Sequence, residues 1–184
     1  MNARAAALLT NPHPCSHIVY PYTDEGLVGQ AVCLYTSAGI QQGESVVLVM
    51  TAAHCESITL RLVTEGFNVE RLQKSGRLVC VLAEELLSQF MVDGMPDKEL
   101  FHLAVGRMIT RARAATGNGS AGLVRVFGEM VSLLWNANLG ATISLEDMWN
   151  EIIEMHRVPL MCTYALNGRD DIHQALHALH SHSL

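Results

Sequence analysis

Along this chain, short runs that are apolar at nearly every position alternate with longer stretches whose apolar residues recur at spacings of three and four. That is the pattern of buried strands joined by amphipathic helices. A β-branched run over 17–20 predicts a first strand closed by Pro21. Thr23-Asp24 then supplies an N-cap for a helix carrying Leu27, Val28, Ala31, Leu34, Tyr35 and Ala38, which Gly39 ends. The run over 45–51 is apolar on both faces, as expected of a central strand in a parallel sheet, since an antiparallel edge would alternate. A helix over about 54–65 with Ile58 and Leu62 on one face stops at Gly66, and 77–82 is a second buried strand.

Pro96 opens the longest predicted helix, about 97–115, in which Phe101, Val105, Met108 and Ala112 line one face. Gly117-Asn118-Gly119 breaks it. A strand over 123–127 leads into a helix over 128–135. Ser144-Leu145-Glu146-Asp147 reads as a capping box for a helix bearing Leu145, Met148, Trp149, Ile152 and Ile153. The last strand is expected over 158–166, followed by helical spacing at Ile172, Leu176 and Leu179 in 170–180. The sum is an α/β fold with a mostly parallel central sheet flanked by helices. It forms one domain over 15–184 after an N-terminal arm of 1–14, with no internal repeat.

Composition narrows the class. At 184 residues with 49% hydrophobic and 16% charged, intrinsic disorder is excluded, and the chain is long enough to bury a full core. A net charge of −6 argues against direct nucleic-acid binding, because a phosphate-binding patch would have to act against the overall field. The five cysteines contain no C-x-x-C pair, and Cys33 and Cys80 lie in apolar runs, which predicts free thiols in a reducing compartment. The apolar stretch near the N-terminus is too short for a signal peptide, and no stretch is long enough to span a membrane. A cytoplasmic location is expected.

In such a sheet the loops that do chemistry lie at the carboxyl ends of the strands. After the first strand, Pro21-Tyr22-Thr23-Asp24-Glu25-Gly26 stands where a nucleotide-binding protein would carry a glycine-rich loop with lysine. It has no lysine, and its two carboxylates repel phosphate. It is either a plain N-cap or a pocket wall formed by Tyr22 and Asp24. A literal G-x-G-x-x-G at Gly117, Gly119 and Gly122 follows a helix and precedes a strand, the reverse of the dinucleotide context, and reads as a loop. His13-x-Cys15-x-His17 and His54-Cys55 match no established zinc framework. His54 and Cys55, adjacent on a helix, do not face each other as a catalytic pair would.

Glu129, at the carboxyl end of its strand, is a candidate ligand-binding acid. Arg125, mid-strand among apolar residues, needs a carboxylate partner, with Glu129, Glu146 and Asp24 as candidates in an ion pair fixing the sheet's carboxyl edge. Trp135 and Trp149 fall on apolar helical stripes and serve either the core or an apolar pocket. His173, His177 and His180 share one face of a terminal helix, with His182 beyond, and Arg107 and Arg111 lie on a solvated one.

The residues His17-x-x-Tyr20 with Tyr22, Ala38-Gly39-Ile40-Gln41-Gln42-Gly43-Glu44, Arg125-Val126-Phe127-Gly128-Glu129-Met130 with Leu134-Trp135, Leu145-Glu146-x-x-Trp149-Asn150, Leu160-x-Cys162-x-Tyr164 and His180-Ser181-His182 follow in an order that resembles the MEDS family. That is the sensory domain named for methanogens, methylotrophs and the regulator DcmR, and the likeness spans about 15–182. It implies a RecA/KaiC-like domain that has lost its phosphate-binding loop and senses a small molecule of the hydrocarbon-derivative kind. It also implies signalling to a histidine kinase or transcription regulator. Within 184 residues there is no room for such a module, so output is expected through a separate partner or a homodimer.

The expected pocket comprises Tyr22, Asp24, His54, Glu129 and Trp135. His17, Tyr20, Arg125, Gly128, Glu146, Trp149, Cys162 and Tyr164 are family-pattern residues. No catalytic residue, metal or cofactor is assigned, and no membrane partner is expected. The rival readings are a nucleotide-binding or hydrolysing relative with Glu129 as its acid, and a protein-interaction module whose apolar surplus covers a partner.

Overall fold

A computed structural model describes residues 1–116, 122–135 and 137–166. Strands β1 (His17–Tyr22), β2 (Ser45–Met50), β3 (Leu78–Leu82), β6 (Val124–Gly128) and β7 (Leu160–Ala165) form a five-stranded sheet in the order β1-β7-β6-β2-β3. Every pairing in it is parallel. The α/β architecture expected from the pattern is the one observed. β2 is buried at all six positions because it has strands on either side and helices on both faces, which is why its sequence does not alternate.

The sheet carries a separate apolar layer on each face. One face meets α1 (Ala3–Thr10), α2 (Glu25–Gln41), α3 (Ala52–Thr64) and α4 (Val69–Lys74). Here Val46, Leu48, Met50, Phe127 and Met161 pack against Val28, Ala31, Val32, Tyr35, Ile58 and Leu62. The other meets α5 (Ala83–Ser88), α6 (Lys98–Ala114), α7 (Met130–Trp135) and α8 (Leu139–His156). Val47, Val49, Val124, Val126, Leu160 and Cys162 there face Phe101, Val105, Leu145, Trp149 and Ile152. Phe101 stands edge-on to both Phe90 and Trp149, with ring centroids 5.1 and 5.2 Å apart.

Several boundaries depart from the sequence reading. β1 runs through Pro21 to Tyr22 instead of closing at Pro21. It is an edge strand, where the missing proline N–H faces no partner strand. α8 begins before the predicted capping box: Asn138, not Ser144, accepts the amide of Ala141 at 3.0 Å and caps the helix, so Ser144 to Asp147 lie inside it. The Asn138 amide also donates to the Gly94 carbonyl at 2.9 Å, tying α8 to the hairpin of β4 (Met91–Val92) and β5 (Met95–Pro96). That hairpin, α4 and α5 are too short to carry a readable period. The segment 1–14, expected as an arm, holds α1, capped by Asn2 and packed on α2 through Leu9. Gly117, Gly119 and the helix expected over 170–180, with its histidines, lie outside the described residues.

Arg125 is the largest correction. It is buried, as the ion-pair reading requires, but its partner is Glu44 and not Glu129, Glu146 or Asp24. Arg125 pairs in register with Val46 near the amino-terminal end of β6, and Glu44 immediately precedes β2, so the pair fixes the amino edge of the sheet instead of its carboxyl edge. Its guanidinium also donates to the carbonyls of Leu9 (3.0 Å), Thr10 (3.1 Å) and Tyr35 (3.4 Å) and to Gln42 Oε1 (3.1 Å), and it lies 5.4 Å from the Tyr35 ring centroid. One buried cation thus clamps α1, α2 and β2 to β6. Gly39 leaves it room: a Cβ there would stand 2.9 Å from both Arg125 Cδ and Nε.

Candidate functional site

β2 lies between β3 and β6 in the sheet. The helix after β2, α3, packs on one face, while the helix after β6, α7, belongs to the other. The crevice between the carboxyl ends of β2 and β6 is therefore the point where the winding reverses, the usual binding position in open α/β sheets. Glu129 follows β6 there, and its backbone N–H donates to the Val49 carbonyl at 3.0 Å. The Thr51 amide at the end of β2 donates to Glu129 Oε2 at 2.8 Å. Thr51 also caps α3, and its hydroxyl accepts the His54 amide, which places His54 in the first turn above the crevice.

His54 Nδ1 contacts Glu129 Oε1, and its Nε2 lies 2.6 Å from Glu25 Oε2. Glu25 opens α2, where Asp24 is the cap, accepting the Leu27 amide at 3.0 Å. A single imidazole is thus held between a buried carboxylate and one whose side chain is 68% exposed. Burial of His54 lowers its affinity for a proton, but Glu129 and Glu25 outweigh that loss, and its pKa is raised. Burial also raises the pKa of Glu129, against the stabilising Thr51 amide and the histidine. Tyr22, at the end of β1, is pushed up to about 12 by burial and by the charges of Glu25 and Glu129. The arrangement can hold one proton between two acids and offer it to a polar group arriving from solvent, because the imidazole is itself partly exposed and its Nε2 partner, Glu25, is mostly so.

A second polar cluster lies on the α8 side of the sheet, between β1 and β7. The Tyr164 hydroxyl donates to Glu146 Oε1. His17 Nδ1 is 2.9 Å from Asn150 Oδ1, and His17 Nε2 is 3.2 Å from Glu146 Oε2. Cys162, fully buried, lies beside them, and Trp135 stands edge-on to Tyr164 at 5.5 Å.

The structure brings Tyr22, His54 and Glu129 together, with Asp24 capping the adjoining helix, whereas it places Trp135 with the Tyr164 cluster. Tyr20 packs on the α2 face, Gly128 ends β6 opposite Cys162, and Trp149 is core. Sequence reasoning missed Glu25 and Thr51 as partners of the histidine, and Asn150 as the partner of His17. The signals available were the adjacency of Glu25 to the cap Asp24, and the alternation His17-x-Val19 and Cys162-x-Tyr164, which sets each pair on one sheet face.

Fold and crevice define an α/β domain with a polar, partly open site at its switch point. Residues 16–183 match the MEDS family, the methanogen/methylotroph, DcmR sensory domain, so the chain belongs to that family. It is a family of sensory domains. No curated protein matches the sequence. No helix among the described residues is long and apolar enough to cross a membrane.

Proposed function

We propose that this protein is a non-catalytic cytoplasmic sensory domain that binds a small hydrocarbon derivative bearing one polar group. Its signal passes to a partner of the histidine-kinase or transcription-regulator kind. The observation that carries the reading is the Glu129–His54 pair at the switch point, in which a buried carboxylate holds a partly exposed imidazole whose other nitrogen faces the exposed Glu25. A hydroxyl or carboxylate that takes Glu25's place at His54 Nε2 would bring its apolar part against Tyr22. Moving Glu25 shifts the first turn of α2, the helix that bridges β1, α1 and α3, and so gives binding a route to a distant surface. The RecA/KaiC-like ancestry belongs to the same reading. It is supported by the parallel sheet and by a first loop whose Asp24 carboxylate caps the helix at the Leu27 amide and places negative charge where a phosphate would sit.

The test is a thermal-shift screen of the purified chain against short alcohols, carboxylates and halogenated methanes, with ATP and Mg²⁺ as the opposing arm. A ligand at 100 times its Kd stabilises by about 2.7 kcal/mol. In a chain of this size that raises Tm by about 5–11 °C. The shift is expected for an organic compound and is lost in His54→Ala and Tyr22→Ala. A shift produced by ATP, or one that survives both substitutions, overturns the proposal.

A further inference from the structure

The cluster between β1 and β7 contains an electrostatic contradiction. His17 Nε2 and Glu146 Oε2 face each other at 3.2 Å, yet both are buried atoms without a hydrogen-bond partner. The other half of each group is committed. His17 Nδ1 stands 2.9 Å from Asn150 Oδ1, which can only accept, so Nδ1 carries a proton, and in the neutral ring Nε2 presents its lone pair to Glu146. Glu146 Oε1 accepts the Tyr164 hydroxyl, leaving Oε2 with its lone pairs free. Two buried lone pairs aimed at one another require a proton or a metal ion between them. A third donor stands ready, since Cys162 Sγ lies within 4.8 Å of a His17 ring nitrogen and a Glu146 carboxylate oxygen.

We propose that His17 Nε2, Glu146 Oε2 and Cys162 Sγ bind one divalent transition-metal ion of the zinc class, with the fourth tetrahedral position open to a small ligand. The inference stands independently of the His54–Glu129 crevice. The donor set of one imidazole, one carboxylate and one thiol fits zinc and disfavours magnesium or calcium, which take oxygen. Ligand lengths of about 2.0–2.2 Å place tetrahedral nitrogen and oxygen donors about 3.4 Å apart, close to the observed 3.2 Å. The sulfur, within 4.8 Å of the other donors, closes to the shorter spacing that a zinc–sulfur bond of about 2.3 Å sets. On binding, the Cys162 thiol releases its proton to solvent, and the carboxylate and thiolate together neutralise the divalent ion, so a net-neutral group occupies the interior. Asn150 and Tyr164 then act as orienting partners, one setting the histidine tautomer and the other holding the carboxylate.

The test is titration of the chelator-treated protein with Co²⁺ as a spectroscopic stand-in, followed by displacement with Zn²⁺. The expected result is one equivalent bound, with a thiolate-to-cobalt charge-transfer band and the visible bands of a four-coordinate ion, all removed by zinc. His17→Gln abolishes binding, and Asn150→Ala, which leaves every ligand in place, weakens it by about 10- to 100-fold. Cys162→Ser removes the charge-transfer band, with folding checked by circular dichroism. His17, being partly exposed, provides the variant least able to disturb the core. Cys15→Ser and Cys55→Ser leave the band intact. Absence of the band in the wild type, its survival in His17→Gln, or its loss in Cys15→Ser would refute the site. The first of these outcomes would mean that a proton, not a metal, joins His17 to Glu146.

Discussion

Glu44→Gln is the substitution that most directly measures what Arg125 does. Arg125 is 1% exposed and the Glu44 side chain 11%, so the variant retains shape and one acceptor while leaving a buried cation with only neutral partners. Removing one member of a buried ion pair costs about 3–5 kcal/mol, because the remaining charge keeps its desolvation cost without its counter-charge. Against a total stability of about 5–15 kcal/mol that is a large fraction. At about 2–4 °C per kcal/mol it lowers Tm by about 6–20 °C. Thermal melts followed by circular dichroism read this, with urea titration confirming that the slope m is unchanged. Salt has little effect, since buried pairs are weakly screened. Arg125→Met combined with Glu44→Leu is expected to be less damaging than the sum of the single changes, because neither charge is then stranded. It also exposes the α1 segment to protease, since the Leu9 carbonyl loses its Arg125 donor and the Thr10 carbonyl keeps only the Gln42 side-chain amide. A loss below about 1 kcal/mol in Glu44→Gln, or strict additivity in the double variant, would refute the clamp.

Gly39→Ala places a Cβ 2.9 Å from two atoms of Arg125 and 3.1 Å from Val46 Cγ2. Because the guanidinium is held by several acceptors, overpacking of about 1–3 kcal/mol should exceed the roughly 1 kcal/mol that alanine gains in a helix. Urea unfolding checks the sign, and a stabilised variant would show that Arg125 is free to move. For His54, a raised folded-state pKa contributes stability that is fully present below the ordinary histidine value of about 6.5 and is lost as pH rises through the folded value. The raised pKa of Glu129 acts in the same direction from the ordinary carboxyl range upward. The urea midpoint should therefore fall as pH rises above about 6.5, and His54→Gln should flatten that fall. An equal slope in both proteins would show that the Glu25 and Glu129 contacts do not raise the histidine pKa.

Local chemistry was enough to read the strands and long helices. The unbroken apolar run at 45–50, the cap at Asp24 and the three-and-four spacing of Phe101, Val105, Met108 and Ala112 each follow from neighbours within a turn or two. The loops worth inspecting were legible too, because a parallel sheet puts them all at one end, and so Tyr22, His54 and Glu129 could be named before their contacts were known. Strand order was not legible. Periodicity gives each strand its faces but not its neighbours, and it is the insertion of β6 and β7 between β1 and β2 that makes a switch point of the β2–β6 crevice. The partner of Arg125 was missed for the same reason: Glu44 and Arg125 lie 81 positions apart, and only the parallel register of β2 and β6 sets their ends together. His17, Glu146 and Cys162 come from three separate elements in the same way. A residue type announces that a charge or a lone pair needs a partner, whereas the folding of distant segments decides which partner it finds.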